Sequence, residues 1–203
     1  MDIINEMHKF DLENGDIVGV DEAGRGPLAG PVVAAAAKLK KYDIKLDKIN
    51  DSKKLSEKSR EELFDIIKEN FYVGIGIATV EEIDDVNILN ATFLSMKRAL
   101  SQLEEEVSFE KVLVDGNHKI RGYNDEQVPI IKGDSKSLSI AAASIIAKVT
   151  RDRMMKEVAK KYPEYTFEKH KGYGTKAHRE IIVANGPIDG IHRKSFLKKI
   201  LGE

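Results

Sequence analysis

The chain has 203 residues, 41% of them hydrophobic and 33% charged, with a formal net charge of −1 and no cysteine. This composition describes a folded globular protein of about one domain and excludes a disordered chain, disulfides and thiolate metal sites. No apolar run approaches the roughly 20 residues of a membrane helix. The segment Met1–Asp16 mixes Asp2, Glu6, Lys9, Asp11 and Glu13 with isolated apolar residues. It does not read as a signal peptide, and the expected compartment is the cytoplasm.

In chain order, Ile17 to Asp21 reads as a short buried strand that ends at the turn signal Gly24-Arg25-Gly26-Pro27. Pro31 to Leu39 is a Val/Ala-rich second strand and Phe71 to Thr79 a third. Between them Ser56-Glu57-Lys58-Ser59 starts a helix to about Lys68, with Leu63, Ile66 and Ile67 at helical spacing. A longer helix is predicted from about Asn87 to Glu105, where Ile88, Leu89, Phe93, Met96, Leu100 and Leu103 form an apolar stripe. Lys111 to Asp115 and Val128 to Ile131 read as the fourth and fifth strands. From Ser137 to Lys160 a strong helical pattern follows, whose Ala141, Ala142, Ala143 and Ala147 suit close packing on a sheet. The remainder reads as short helices and loops, with a helix around Lys176 to Ala184. The pattern is that of an α/β domain with a five-stranded mixed sheet covered by helices on both faces.

Charge is unevenly spread. Lys169, Lys171, Lys176, Arg179, Arg193, Lys194, Lys198 and Lys199 face only Glu180 and Asp189 in the last third, while acid collects at Glu81-Glu82-Ile83-Asp84-Asp85 and Glu104-Glu105-Glu106. A basic third suits a polyanion; a solvated surface is the ordinary alternative.

Two strands end in acid. In Val18-Gly19-Val20-Asp21-Glu22-Ala23-Gly24-Arg25-Gly26-Pro27 an apolar strand delivers two carboxylates and then two glycines. Adjacent strand residues point to opposite faces, so Asp21 and Glu22 can share a site only if the chain turns there, which Gly24 and Gly26 are expected to permit. In Lys111-Val112-Leu113-Val114-Asp115-Gly116 the motif recurs. Alone, each is as well a solvated turn. Two such strand ends can converge at one edge of a sheet. Asp134, in Lys132-Gly133-Asp134-Ser135-Lys136-Ser137, is either a helix-start acid favoured by the dipole or a fourth carboxylate for the same edge. Asp152, in Thr150-Arg151-Asp152-Arg153, is read as a structural ion pair with a neighbouring Arg. Convergent carboxylates without His or Cys are hard oxygen donors that suit Mg²⁺ or Mn²⁺. Such ions reverse the local sign, so the cluster reads as a nuclease site acting on a phosphodiester.

The strings Gly19-Val20-Asp21-Glu22-Ala23-Gly24-Arg25-Gly26-Pro27, Asp51-Ser52-Lys53-Lys54-Leu55, Val114-Asp115-Gly116, Gly133-Asp134-Ser135-Lys136, Ala141 to Asp152 and His170-Lys171-Gly172-Tyr173-Gly174-Thr175 resemble, in order, those of bacterial ribonuclease HII over about residues 17 to 196. The resemblance implies an RNase H-like fold (a core of about 17–160 and a C-terminal helical segment of about 161–203 in one domain) and a catalytic, metal-binding set of Asp21, Glu22, Asp115 and Asp134. It implies that Gly24, Arg25 and Gly26 sense the ribose 2′-hydroxyl, that Tyr173 stacks on the following deoxyribose, and that Lys53 and Lys54 contact phosphate. The implied substrates are RNA–DNA hybrids and duplex DNA with embedded ribonucleotides, cut 5′ of the ribonucleotide to leave 3′-hydroxyl and 5′-phosphate ends. The implied cofactor is Mg²⁺ or Mn²⁺ and the default state a monomer.

From residues alone, Tyr173 reads rather as a core-packing aromatic, since an aromatic in a Gly-rich loop more often packs on the core, and Lys53 and Lys54 as an exposed loop pair. His170, His178 and His192 lack zinc-site spacing and read as backbone, phosphate or structural contacts. No segment after Phe196 reads as a sliding-clamp tail. Three rival classes have requirements of their own. Ribonuclease HIII carries an additional N-terminal substrate-binding domain, for which the residues before Ile17 are too few. A sugar-kinase-like ATPase needs a duplicated domain. A non-catalytic nucleic-acid binder would hold duplex equally well in chelator.

Overall fold

The computed structural model describes residues 3–49 and 55–202, the side chains of residues 3–5, 47 and 199 apart. Helix α1 (Ile3–Glu13) leads into strands β1 (Ile17–Ala23) and β2 (Val32–Leu39), and after a 3₁₀ turn (Ile44–Lys48) come α2 (Glu57–Asn70), β3 (Phe71–Ala78), α3 (Val80–Glu104), β4 (Lys111–Asp115) and β5 (Glu126–Ile130). A second 3₁₀ turn (Gly133–Ser135) precedes α4 (Leu138–Lys161), and a third (Pro163–Tyr165) leads to α5 (Phe167–His170), α6 (Lys176–Asn185) and α7 (Lys194–Leu201). The five strands form one mixed sheet in the order β3-β2-β1-β4-β5. β1, β2 and β3 are antiparallel neighbours, and β4 and β5 add in parallel.

Strand alternation divides the core between the two faces. Val18, Val20, Val112 and Val114 pack with Phe93, Met96, Leu100 and Leu103 of α3. Ile17 and Leu113 point the other way, onto Ile140 of α4. The alanine run of α4 is buried against Ala35 and Ala37 of β2 and against Leu63, Phe64 and Ile67 of α2. Small residues make this close packing possible. A Cβ at Gly19 would lie 2.3 Å from the backbone nitrogen of Ile140, so any other residue there would push α4 off the sheet.

Helix starts follow local chemistry. The Ser56 side chain accepts from the Ser59 amide at the head of α2. At α3, Thr79 and Glu82 form a reciprocal capping box. Two elements differ from the sequence expectation. α1 is a helix; Met7 is buried in the core, and Asp11 reaches across to accept from the Ser139 amide at 2.8 Å, at the head of α4. α3 begins at Val80, not Asn87, because the capping box turns the acidic stretch 81–85 into a first helical segment. Asn87 breaks it with φ 67° and recaps the second segment, its Oδ1 accepting from the Leu89 and Asn90 amides. Among the described residues, no helix is long and apolar enough to cross a membrane.

Candidate active site

The parallel ladder between β1 and β4 pairs Val18 with Val112, Gly19 with Leu113 and Val20 with Val114. The next residue on each strand is an acid, Asp21 on β1 and Asp115 on β4. Both therefore follow Gly19 and Leu113 onto the α4 face, and Asp21 takes a hydrogen bond from the Ser144 hydroxyl. Glu22, one residue on, follows Val20 towards the α3 face.

The expectation that Asp21 and Glu22 can share a site only if the chain turns there is corrected here. β1 runs on through Ala23, paired to Val33 of β2, and the turn comes afterwards. The ladder to β4 stops at Val20, so the rim beyond it is open, and both carboxylates reach the same space. Asp21, Glu22, Asp115, Ser144, Lys148 and Tyr173 line one cavity of about 290 Å³, together with residues 23–26.

Burial and mutual repulsion dominate the electrostatics of the acids. Asp21 is 6% exposed, and its carboxyl is pushed well above the usual range, first by burial and then by the charges of Glu22 and Asp115. Burial also raises Glu22, although the Arg25 guanidinium, 3.3 Å away, opposes the shift. The Asp115 Oδ1 accepts from the Gly133 amide at 2.7 Å and lies 3.4 Å from that of Asp134. Asp134 is thus brought beside Asp115, but its side chain is buried and does not line the cavity. Among the described residues, no three His, Asp or Glu side chains are closed as a ready-made metal cage. What is present is an all-oxygen donor set held together against its own repulsion, which fits a hard divalent cation.

The loop joining β1 to β2 forms another part of the cavity wall. Two buried arginines shape it, and neither was singled out from sequence. Arg193 donates to the carbonyls of Gly24 (2.6 Å), Arg25 (3.0 Å), Pro27 (2.8 Å) and Gly30 (2.7 Å). Arg151 donates to those of Ala29, Pro31 and Lys171, each at 3.0 Å. Burial pulls the Arg193 guanidinium down to about 9, and nearby Arg151 adds to the effect. With so many carbonyls drawn inward to two cations, the loop is fixed from beneath. Gly24 is at φ +98°, and a Cβ there would lie 2.2 Å from the Arg151 Nε. Gly26 is different: a Cβ would meet only the Tyr173 ring, at 3.9 Å. The fold leaves space above Gly26.

Tyr173 is 43% exposed and its ring faces the cavity, with the Arg151 guanidinium 5.8 Å from its centroid, so it does not pack into the core. Its loop rides on the first one through the Leu28 amide, which donates to the Gly172 carbonyl at 2.8 Å. Asp152 corrects another expectation. Its partner is Lys148 at 2.6 Å, one helical turn earlier, because Arg151 turns inward to the carbonyls and Arg153 pairs with Glu61. Lys148 thereby stands on the cavity wall. The signal for Ser144 and Lys148 was a polar stripe at helical spacing through an alanine-rich helix; Arg193 carried no such periodicity. The three histidines are buried together and bonded to backbone groups. Lys53 and Lys54 lie outside the described residues.

A family model described as Ribonuclease HII matches residues 18–199. A Ribonuclease HII of Fusobacterium nucleatum is 64% identical over 199 residues, covering 97% of this chain and 93% of the relative. Among solved structures, ribonuclease H2 from Pyrococcus horikoshii superposes with a TM-score of 0.74 at 28% identity, covering 92% of this chain and 97% of that one. Bst-RNase HIII in complex with Mn²⁺ gives a TM-score of 0.74 at 18% identity, covering 98% of this chain and 72% of the other, a likeness of fold.

Proposed function

The chain belongs to the ribonuclease HII family, and from that premise we propose that it cuts duplex DNA on the 5′ side of an embedded ribonucleotide. It is a ribonuclease H with the RNase H-like fold. The finer reading is that it hydrolyses both RNA–DNA hybrids and single embedded ribonucleotides, leaving 3′-hydroxyl and 5′-phosphate ends. The observation that carries it is that one cavity is lined both by the acids Asp21, Glu22 and Asp115 and by Gly26 and Tyr173.

Asp21, Glu22 and Asp115 would hold divalent Mg²⁺ or Mn²⁺, with Asp134 beside Asp115 as a fourth carboxylate. Binding would draw these side chains inward and remove the repulsion that raises Asp21 and Glu22. Such ions, two of them in this reading, would supply the Lewis acidity for activating water and for taking up charge on the leaving oxygen. The remaining work falls to the chain. Lys148, fixed by Asp152, offers a cation to a phosphate oxygen. The loop at Gly24, Arg25 and Gly26, fixed from beneath by Arg151 and Arg193, offers backbone groups to a ribose 2′-hydroxyl, the feature that separates RNA from DNA at one position. Gly26 without a side chain lets a sugar approach, and Tyr173 stacks on the next one.

Lys53 and Lys54 are assigned to phosphate by the family resemblance. We read the chain as one domain acting as a monomer, in which residues 161–203 complete the site built on residues 17–160. The bonds from Arg193 to the loop after β1 support the single domain. The test is a duplex bearing one ribonucleotide, incubated with Mg²⁺, Mn²⁺ or EDTA. A single metal-dependent cut 5′ of the ribonucleotide is expected. An intact duplex in both metals, or cutting in EDTA, overturns the proposal.

A further inference from the structure

His170, His178 and His192 lie close together beneath the Tyr173 loop, contributed by α5, α6 and the turn before α7. Their exposures are 7%, 0% and 1%. The His170 and His178 rings stack at 4.1 Å, and the Nε2 atoms of His178 and His192 are 3.1 Å apart. Phe167 and Tyr165 pack against the group.

Backbone donors fix where every proton must be. The Ile188 amide donates to the His192 Nδ1 at 2.8 Å, so that nitrogen is bare and the proton of a neutral ring sits on Nε2. That proton points at the His178 Nε2, which must accept it, leaving the His178 proton on Nδ1. This Nδ1 then donates to the Tyr173 carbonyl at 2.9 Å. At His170 the Gly172 amide donates to Nδ1 at 3.2 Å, and Nε2 donates to the Tyr165 carbonyl at 2.8 Å. One assignment of neutral tautomers satisfies all six ring nitrogens. A proton added to His178 would set its Nε2–H against that of His192 at 3.1 Å, and one added to His192 would set its Nδ1–H against the Ile188 amide at 2.8 Å. Burial disfavours the charged rings, drawing His178 and His192 down to about 4. Glu168, the charged group acting on the cluster, favours the charged form of His170.

We propose that this relay is a positioning device for Tyr173: the ordered chain Ile188 N–H, His192, His178, Tyr173 carbonyl sets the height and tilt of the Tyr173 ring over Gly26. His178 and His192 are thus specificity-determining positioning residues that touch neither substrate nor metal. The proposal rests on the reading of Tyr173 as a sugar contact. A structural cluster would have no need to terminate on the carbonyl of the residue that faces the cavity.

The test exploits amide mimics of the two ring nitrogens. His178→Asn places an amide donor where Nδ1 stands and keeps the Tyr173 carbonyl satisfied. His178→Gln places its amide where Nε2 stands, keeping the His192 contact and losing Tyr173. The readout is the ratio of cleavage at a single embedded ribonucleotide to cleavage of a continuous hybrid, which cancels general losses of stability or metal affinity. His178→Gln should lower the ratio about tenfold, the scale of one positioning hydrogen bond, and His178→Asn should hold it near the unaltered protein's value. Equal ratios in both variants, with Tyr173→Ala lowering its own, overturn the relay alone. An unchanged ratio in Tyr173→Ala overturns the sugar contact and the relay's role with it. Should the variants fail to fold, ring ¹⁵N spectra of the unaltered protein at neutral pH decide: His178 must carry its proton on Nδ1 and the other two on Nε2, and any other pattern overturns the relay.

Discussion

The Arg193 guanidinium donates to the Gly24 carbonyl at 2.6 Å, although the two residues lie at opposite ends of the chain. This bond and its companions tie the C-terminal segment to the loop on which the proposed substrate contacts depend. Arg193→Lys keeps the charge but cannot fork to four carbonyls. The buried acceptors left behind cost about 1–3 kcal/mol each. We predict a clear fall in Tm, by thermal denaturation, together with a loss of cleavage at single ribonucleotides.

Gly24 and Gly26 should separate folding from recognition. Gly24→Ala places a Cβ 2.2 Å from the Arg151 Nε at a positive φ, and should lower Tm steeply. Gly26→Ala meets only Tyr173 at 3.9 Å and should change stability by less than about 0.5 kcal/mol, while cleavage at an embedded ribonucleotide drops at least tenfold. Denaturation curves and cleavage rates measured on the same preparations check the contrast.

The metal-free protein carries repulsion that an amide would relieve. Asp21→Asn removes a carboxylate disfavoured by burial and by two neighbouring acids, yet keeps an oxygen for the Glu22 amide. The variant should be more stable than the unaltered protein in EDTA at pH 8, by about 1–3 kcal/mol, and inactive in Mg²⁺. The sign follows because Asp21 is raised: its penalty is full above the raised value and shrinks as pH falls from there towards the ordinary carboxylate value. Destabilisation by the substitution would contradict this reading.

The histidines predict the opposite slope. The values for His178 and His192 are lowered from the ordinary 6.5 to about 4, so unfolded chains bind more protons between these limits. Their contribution is complete above about pH 6.5 and is lost as pH falls towards 4, at up to ~1.4 kcal/mol per pH unit for each ring. Urea midpoints across that window should fall more steeply in the unaltered protein than in a variant carrying both His178→Asn and His192→Gln.

Much of this architecture is legible in the sequence because hydrophobic periodicity carried it. The five strands and the helices at α2, α4 and α6 follow from apolar spacing, and the strand-end acids Asp21 and Asp115 from an abrupt switch of polarity. Other elements depend on contacts far along the chain. α1 is held by Met7 in the core and by Asp11 at the head of α4, neither of which shows in its scattered pattern. The first turns of α3 looked like an acidic block because the capping box, not apolar spacing, starts them. Arg193 read as one charge of a basic segment and Arg151 as a neighbour of Asp152; their role comes largely from carbonyls more than 100 residues away. Asp152 was expected to pair with an adjacent arginine, but helical geometry favours Lys148 at i−4.

The claim on which the rest depends is that carboxylates from β1 and β4 share divalent ions, and calorimetric titration of Mn²⁺ into the nucleic-acid-free protein tests it most directly. We expect saturable binding, accompanied by about 2.7 kcal/mol of stabilisation at a hundredfold excess over the dissociation constant, and its loss in both Asp21→Asn and Asp115→Asn. Unaltered Mn²⁺ binding in either variant would contradict the account.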